Sequence, residues 1–216
     1  MNLIQDIIIP INGESVFGDL ILEEKSSGIV LFADGSGGSR YSPRQRFILD
    51  KLNGAGFSTL FLDLLTLEES MVDEVTLQYR FNVPLLTARL EGVVDWARRD
   101  TRTKDRKLGL FARSTGAASC LVAASRGKES ISAVVSQGGR TDLANEILPG
   151  ITAATLFIVG GDDTEFLEIN LESFDLVTCA DKKLEIVSGA SHSFEEPGKL
   201  DEVAALAVHW FGRYLE

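Results

Sequence analysis

Residues 108–118 read Leu-Gly-Leu-Phe-Ala-Arg-Ser-Thr-Gly-Ala-Ala. The first half is an apolar run without alternation, the pattern of a strand buried on both faces of a sheet. The alanine-rich second half predicts a helix. Between them stands a small-x-Ser-x-Gly turn, with Ala112 and Gly116 two positions either side of Ser114. Where a strand turns sharply into a helix, the two pass so closely that only small side chains fit at those positions. The corner residue is forced into a strained conformation, and its hydroxyl is raised above the sheet. The amide of Thr115, at the helix start, then points toward any negative charge developing there. The same residues could equally be a polar loop whose serine caps a helix, so the rest of the chain must decide.

Working outward, short β-branched or apolar runs alternate with longer helical patterns. Strands are predicted near residues 7–11, 16–22, 28–32, 58–63, 107–111, 132–136, 155–159 and 183–187. Asn12-Gly13 between the first two is a hairpin turn signal, so these form an antiparallel edge. Helices are predicted from Ser42-Pro43 to about Ala55, over Val83–Arg99 and Thr115–Ser125, near Glu165–Phe174, and over Leu200–Tyr214. The acidic stretch Glu68–Glu74 reads as a short flap over the site. The expectation is one α/β domain over residues 1–216: a mostly parallel twisted sheet of about eight strands, helices on both faces and no separate cap domain.

Charge narrows the function classes. The chain of 216 residues carries a net charge of −11, which disfavours nucleic acid and anionic membranes as partners. No signal peptide and no run of 18 apolar residues is evident, so a cytoplasmic address is expected. Cys120 and Cys179 lack the spacing of a disulfide framework or a metal site. No metal or organic cofactor is called for.

A serine nucleophile needs a base, and the base needs an orienting carboxylate. His209 lies within the C-terminal helical pattern and reads as a packing or surface residue. His192 follows the last strand in Gly-Ala-Ser-His-Ser-Phe. Between serine and histidine, the strand 155–159 runs into Gly160-Gly161-Asp162-Asp163. The order serine, acid, histidine, each just past a strand's C-terminal end, is what catalysis above an open α/β sheet requires. The residues alone leave Asp162 and Asp163 both open. A second oxyanion donor is expected from the glycine-rich loop Asp34-Gly-Ser-Gly-Gly-Ser39, with the Ser36 amide the candidate.

Together FADGSGGSRYSPRQRF, TLFLDLLT, GLFARSTGAAS, VVSQGGRTDL, LFIVGGDDTEFLEIN and GASHSFEEPG resemble the dienelactone-hydrolase-like branch of the α/β-hydrolase family, from about Ile29 to Glu216. The resemblance implies an α/β-hydrolase fold and a catalytic set of Ser114, His192 and Asp163, the last favoured by the Gly-Gly-x-Asp pattern. Some relatives are fused to phosphoribosyltransferase domains, for which no stretch here is a counterpart. Enzymes of the namesake branch use a cysteine where this chain has Ser114, so hydrolysis of a small ester, thioester or lactone is the safer inference. Two departures stand out: Asp34-Gly35 replaces the family's His-Gly, and Arg113 replaces a small residue. Asp34 either opposes an oxyanion or is neutralised by Arg113. Arg40, Arg44, Arg113 and Arg140 all fall near strand C-terminal ends, and guanidinium forks suit carboxylates. Arg40, Arg113 and Arg140, with Asp34, are therefore candidate substrate-binding residues for an anionic ester or lactone. The competing reading is a catalytically weak binding protein on the same fold.

Overall fold

A computed structural model describes residues 3–34, 39–127 and 130–216. Its centre is one eight-stranded sheet in the order β1-β2-β4-β3-β5-β6-β7-β8. β1 (Ile4–Ile11) and β2 (Glu14–Ile21) form the antiparallel edge hairpin, turned by Asn12 and Gly13 at φ 51° and 90°. Positive φ at both positions matches the right-handed twist of the flanking strands. β2 also runs antiparallel to β4 (Ser58–Asp63). From β4 onward every pair is parallel: β3 (Gly28–Asp34), β5 (Lys107–Arg113), β6 (Ala133–Gly139), β7 (Ala154–Gly160) and β8 (Lys182–Val187).

Helices cover both faces. α1 (Pro43–Gly54) and α6 (Lys199–Leu215) pack on one side over Phe32, Phe61 and Phe111, with Phe211 contributed by α6. α3 (Val83–Ala97) and α4 (Ser114–Arg126) pack on the other over Leu31, Leu60 and Leu110, with Leu121 contributed by α4. α5 (Thr164–Leu176) follows β7 and reaches the same side through Phe174. Burying whole rows of such side chains, each contributing about 1.5–3 kcal/mol, is the main stabilising term. Gly109 lets α6 lie directly on β5, since a Cβ there would stand 2.6 Å from the Phe211 ring.

The acidic stretch read as a flap is a helix, α2 (Leu67–Thr76). Thr66 and Glu69 form a capping box, and Arg89, itself buried, holds Glu69 at 2.6 Å and also donates to Leu64 O. Glu69 is consumed by these bonds, and Asp73 is held by Arg80. His209 is exposed on α6. Among the described residues, no helix is long and apolar enough to cross a membrane, and no group of His, Cys, Asp and Glu is arranged to hold a metal.

Candidate active site

The turn after β5 has the strain its sequence implies. Ser114 sits at φ +49°, a left-handed conformation that non-glycine residues seldom adopt, while Arg113 before it is extended. Residues in such conformations persist where the surroundings over-determine them. Here Ala112 and Gly116 are buried, Ser114 forms a parallel bridge to Gly139, and Ser114 O accepts the Arg140 N–H at 2.9 Å. Ser114 opens α4, whose first amides, Thr115 among them, have no acceptor within the helix. The positive end of the helix therefore lies beside the hydroxyl.

β7 ends in Gly160, and Asp163 stands at the N-cap position of α5 with no side-chain bond to the helix. Asp163 Oδ2 lies 2.7 Å from His192 Nδ1. Where the carboxylate accepts, the Nδ1–H is the donor, and a neutral ring then keeps its lone pair on Nε2. Asp163 is nearly enclosed and the imidazole is one-third exposed. Asp162, by contrast, is exposed, and its N–H donates to Ala190 O. The loop carrying His192 is held at several points. The Phe166 ring packs on the imidazole at 4.2 Å, Glu196 accepts the Ser191 N–H at 3.1 Å, and Phe194 is buried at φ +54°. Gly160 makes room for the loop: a Cβ there would stand 2.6 Å from Ser191 O and closer still to Ala190 O.

The imidazole also lies over Gly138, where a Cβ would be 3.4 Å from His192 Cε1. Gly138 adjoins Gly139, the residue bridged to Ser114. The three side chains of the sequence-derived set are thus drawn to one end of the sheet. Among the described residues, the Ser114 hydroxyl makes no hydrogen bond to the ring. Such bonds are often long in unliganded enzymes and tighten when substrate binds. Asn170 ties the two halves together: wholly buried on α5, it donates from Nδ2 to Gly139 O at 2.9 Å and to Phe166 O at 2.8 Å. Sequence reading missed Asn170, Phe166 and Glu196. Asn170 is the one with a signal, a polar residue amid the apolar spacing of Phe166, Ile169 and Phe174.

The arginines sort differently from the expectation. Arg40 is not available to a substrate: Nε holds Asp63 at 2.6 Å, Nη1 holds Asp19 at 2.7 Å and Nη2 reaches the Tyr41 hydroxyl. Asp19 and Asp63 are buried carboxylates that must be paired, and Arg46 also donates to Asp19. Arg140 grips Asp142 through a two-pronged pair at 2.8 and 2.9 Å, which raises its pKa. Arg44 pairs with Glu195 and reaches Ser193 O in the histidine loop. Arg113 is half-buried with no hydrogen bond or ion pair to a described residue. Asp34 pairs in backbone register with Arg113; its side chain and Ser36 lie outside the described residues. Cys120 on α4 is buried, which pushes its thiol far up and leaves it no nucleophile.

Comparison with known proteins identifies the family and the fold. The sequence model of the dienelactone hydrolase family matches residues 20–215. The chain is 43% identical to a dienelactone hydrolase from Anabaena variabilis, with a TM-score of 0.96 over 100% of this chain and 99% of that one. An esterase of Pyrococcus furiosus shares the fold, with a TM-score of 0.78 at 15% identity over 100% of this chain and 92% of that one. A Mycobacterium tuberculosis protein provisionally named a phosphoribosyl transferase is 46% identical over 196 residues, 91% of this chain. This chain spans only 43% of that relative's length.

Proposed function

The chain belongs to the dienelactone hydrolase family, and within that family we propose that it is a serine hydrolase acting on a small ester, thioester or lactone. Ser114 Oγ attacks the acyl carbon while His192 Nε2 takes its proton. The Thr115 amide, joined by that of Ser36, receives the charge on the carbonyl oxygen. The imidazolium returns the proton to the leaving alcohol, thiol or ring oxygen as the acyl bond breaks. Water, deprotonated by the same imidazole, then attacks the acyl carbon, and the imidazolium returns that proton to Ser114 Oγ as its acyl bond breaks and the acid leaves. Asp163 holds the ring in the tautomer that leaves Nε2 basic.

The observation that carries the reading is the 2.7 Å contact from Asp163 to His192 beside a serine at φ +49°. The transferase name of the mycobacterial relative describes a protein more than twice as long. Turnover of p-nitrophenyl acetate tests the proposal. Asp163→Asn should slow it about 10⁴-fold by favouring the wrong tautomer. Hydrolysis by Ser114→Ala at the wild-type rate would remove the basis for it.

The missing hydrogen bond between Ser114 and His192 favours the second reading, a binding protein on the same fold. In that case small acids or esters bind, no acyl-enzyme forms, and p-nitrophenyl acetate is hydrolysed no faster than in buffer.

A further inference from the structure

Asp163 stands at the N-cap of α5, and Phe166 and Asn170 follow at intervals of three and four residues. Those intervals stack side chains on one side of a helix. Asp163 holds His192 Nδ1 at 2.7 Å, and Asn170 fastens the same turn to Gly139 O at 2.9 Å. Phe166, between them, has no part in the proton transfers above. Core packing does not account for it either. Its side chain is half-buried and belongs to neither apolar cluster, whereas Phe174, eight residues further along the helix, packs against one of them.

What the Phe166 ring meets is the imidazole, with centroids 4.2 Å apart and planes at 47°. Gly138 borders the imidazole elsewhere: a Cβ there would stand 3.4 Å from His192 Cε1 and 3.5 Å from Nδ1. Asp163 thus takes Nδ1, Gly138 lies along the Nδ1–Cε1 edge and Phe166 packs against the ring, so that Nε2 is the atom left for Ser114. An aromatic π-system attracts a cation within about 6 Å of its centroid, because its face carries negative charge. A neutral imidazole gains little from that attraction and an imidazolium gains more. In the first half of the reaction Nε2 takes the Ser114 proton while the Oγ electron pair forms the bond to the acyl carbon. In the second half it takes a proton from water. Both steps turn the imidazole into a cation beside Phe166. An interaction that strengthens on the way to the transition state is the kind that raises kcat.

We propose that Phe166 is a positioning residue of the site: its ring sets the imidazole of His192 against Asp163 and stabilises the imidazolium formed in each half of the reaction. The inference rests on the hydrolase reading above and adds a residue to its machinery. Asp163 acts on the cation through Nδ1, and Phe166 acts on it through the π-system.

The test replaces Phe166 with 4-fluoro-, 3,5-difluoro- and 3,4,5-trifluorophenylalanine. Each fluorine drains the π face with little change of shape, so packing is held while the attraction for a cation falls. Along this series kcat for p-nitrophenyl acetate should decline stepwise, by about 3- to 30-fold overall, the worth of such a contact. KM should hold. Phe166→Tyr, which keeps a π face, should stay within about 2-fold of wild type, and Phe166→Leu should fall at least as far as the trifluorinated protein. An equal kcat across the fluorinated series overturns the proposal even where Phe166→Leu is slow, because that pattern belongs to a residue that only packs. A loss confined to KM also overturns it, by placing the ring on the substrate instead of the histidine. In both cases a fluorophosphonate still labels Ser114 and the protein remains a hydrolase. If wild type neither turns over the ester nor takes the label, the hydrolase reading has failed and this one falls with it.

Discussion

Replacing Gly160 by alanine should damage catalysis more than stability. The new Cβ would lie 2.6 Å from Ser191 O, where ordinary contacts begin at 3.4 Å, and nearer still to Ala190 O. These are backbone atoms, and Ala190 O is already engaged by the Asp162 N–H at 3.0 Å. The loop must therefore retreat from β7 by about 1 Å, carrying His192 away from Asp163. A misplacement of that size costs about 10²-fold in rate. Overpacking of this kind costs about 1–3 kcal/mol, and each kcal/mol lowers Tm by about 2–4 °C in a domain of this length. The assay is p-nitrophenyl acetate hydrolysis beside a circular-dichroism melt. Gly54→Ala serves as control, since a Cβ on that helical residue meets nothing within 4 Å. A Gly160→Ala protein that melts and hydrolyses like wild type would refute the argument that this glycine exists to seat the histidine loop.

Other consequences follow from the polar network. Burial pushes Asp73 up, but the N–H groups of Arg80 and Tyr79 and the Arg80 guanidinium outweigh it and hold the carboxyl below its usual value. A folded pKa below the unfolded one of about 3.9 means that its stabilisation is present at neutral pH and is lost as the pH falls below about 4. The Tm gap between wild type and Asp73→Asn should therefore narrow from pH 7 to pH 3, and a constant gap would contradict this. Asn170→Ala removes the one bond joining α5 to Gly139, together with the bond to Phe166 O within α5, and should cost about 1–3 kcal/mol; kcat should fall while KM holds, and a loss confined to KM would argue against a positioning role. Arg40→Ala leaves Asp19 and Asp63 undercompensated and should cost about 3 kcal/mol in a denaturant titration. Its kcat/KM on anionic and neutral esters should change alike; a selective loss on the anionic ones would return Arg40 to the substrate site.

Much of this architecture is legible in sequence because it depends on local rules. The unalternating runs of β5 and β7 announce strands covered on both faces, and Asn12-Gly13 announces the hairpin. The serine turn is equally local, since Ala112 and Gly116 mark the close approach of strand and helix. Less visible is anything decided by long-range partners. Whether Arg40 is free depends on Asp19 and Asp63, which lie on β2 and β4, 21 and 23 residues away in sequence. For the same reason, the stretch 68–74 reads as a short flap until Arg89 of α3 is seen holding Glu69 of α2. Asn170 gives a faint signal, because its acceptor Gly139 belongs to a different strand.

The account depends on a reactive hydroxyl at Ser114, and intact-protein mass spectrometry after treatment with a fluorophosphonate measures that directly. One adduct, mapped by peptide digestion to Ser114 and lost in Ser114→Ala, is the predicted result, with labelling slowed in His192→Ala. An unmodified protein, or an adduct that persists in Ser114→Ala, would contradict it.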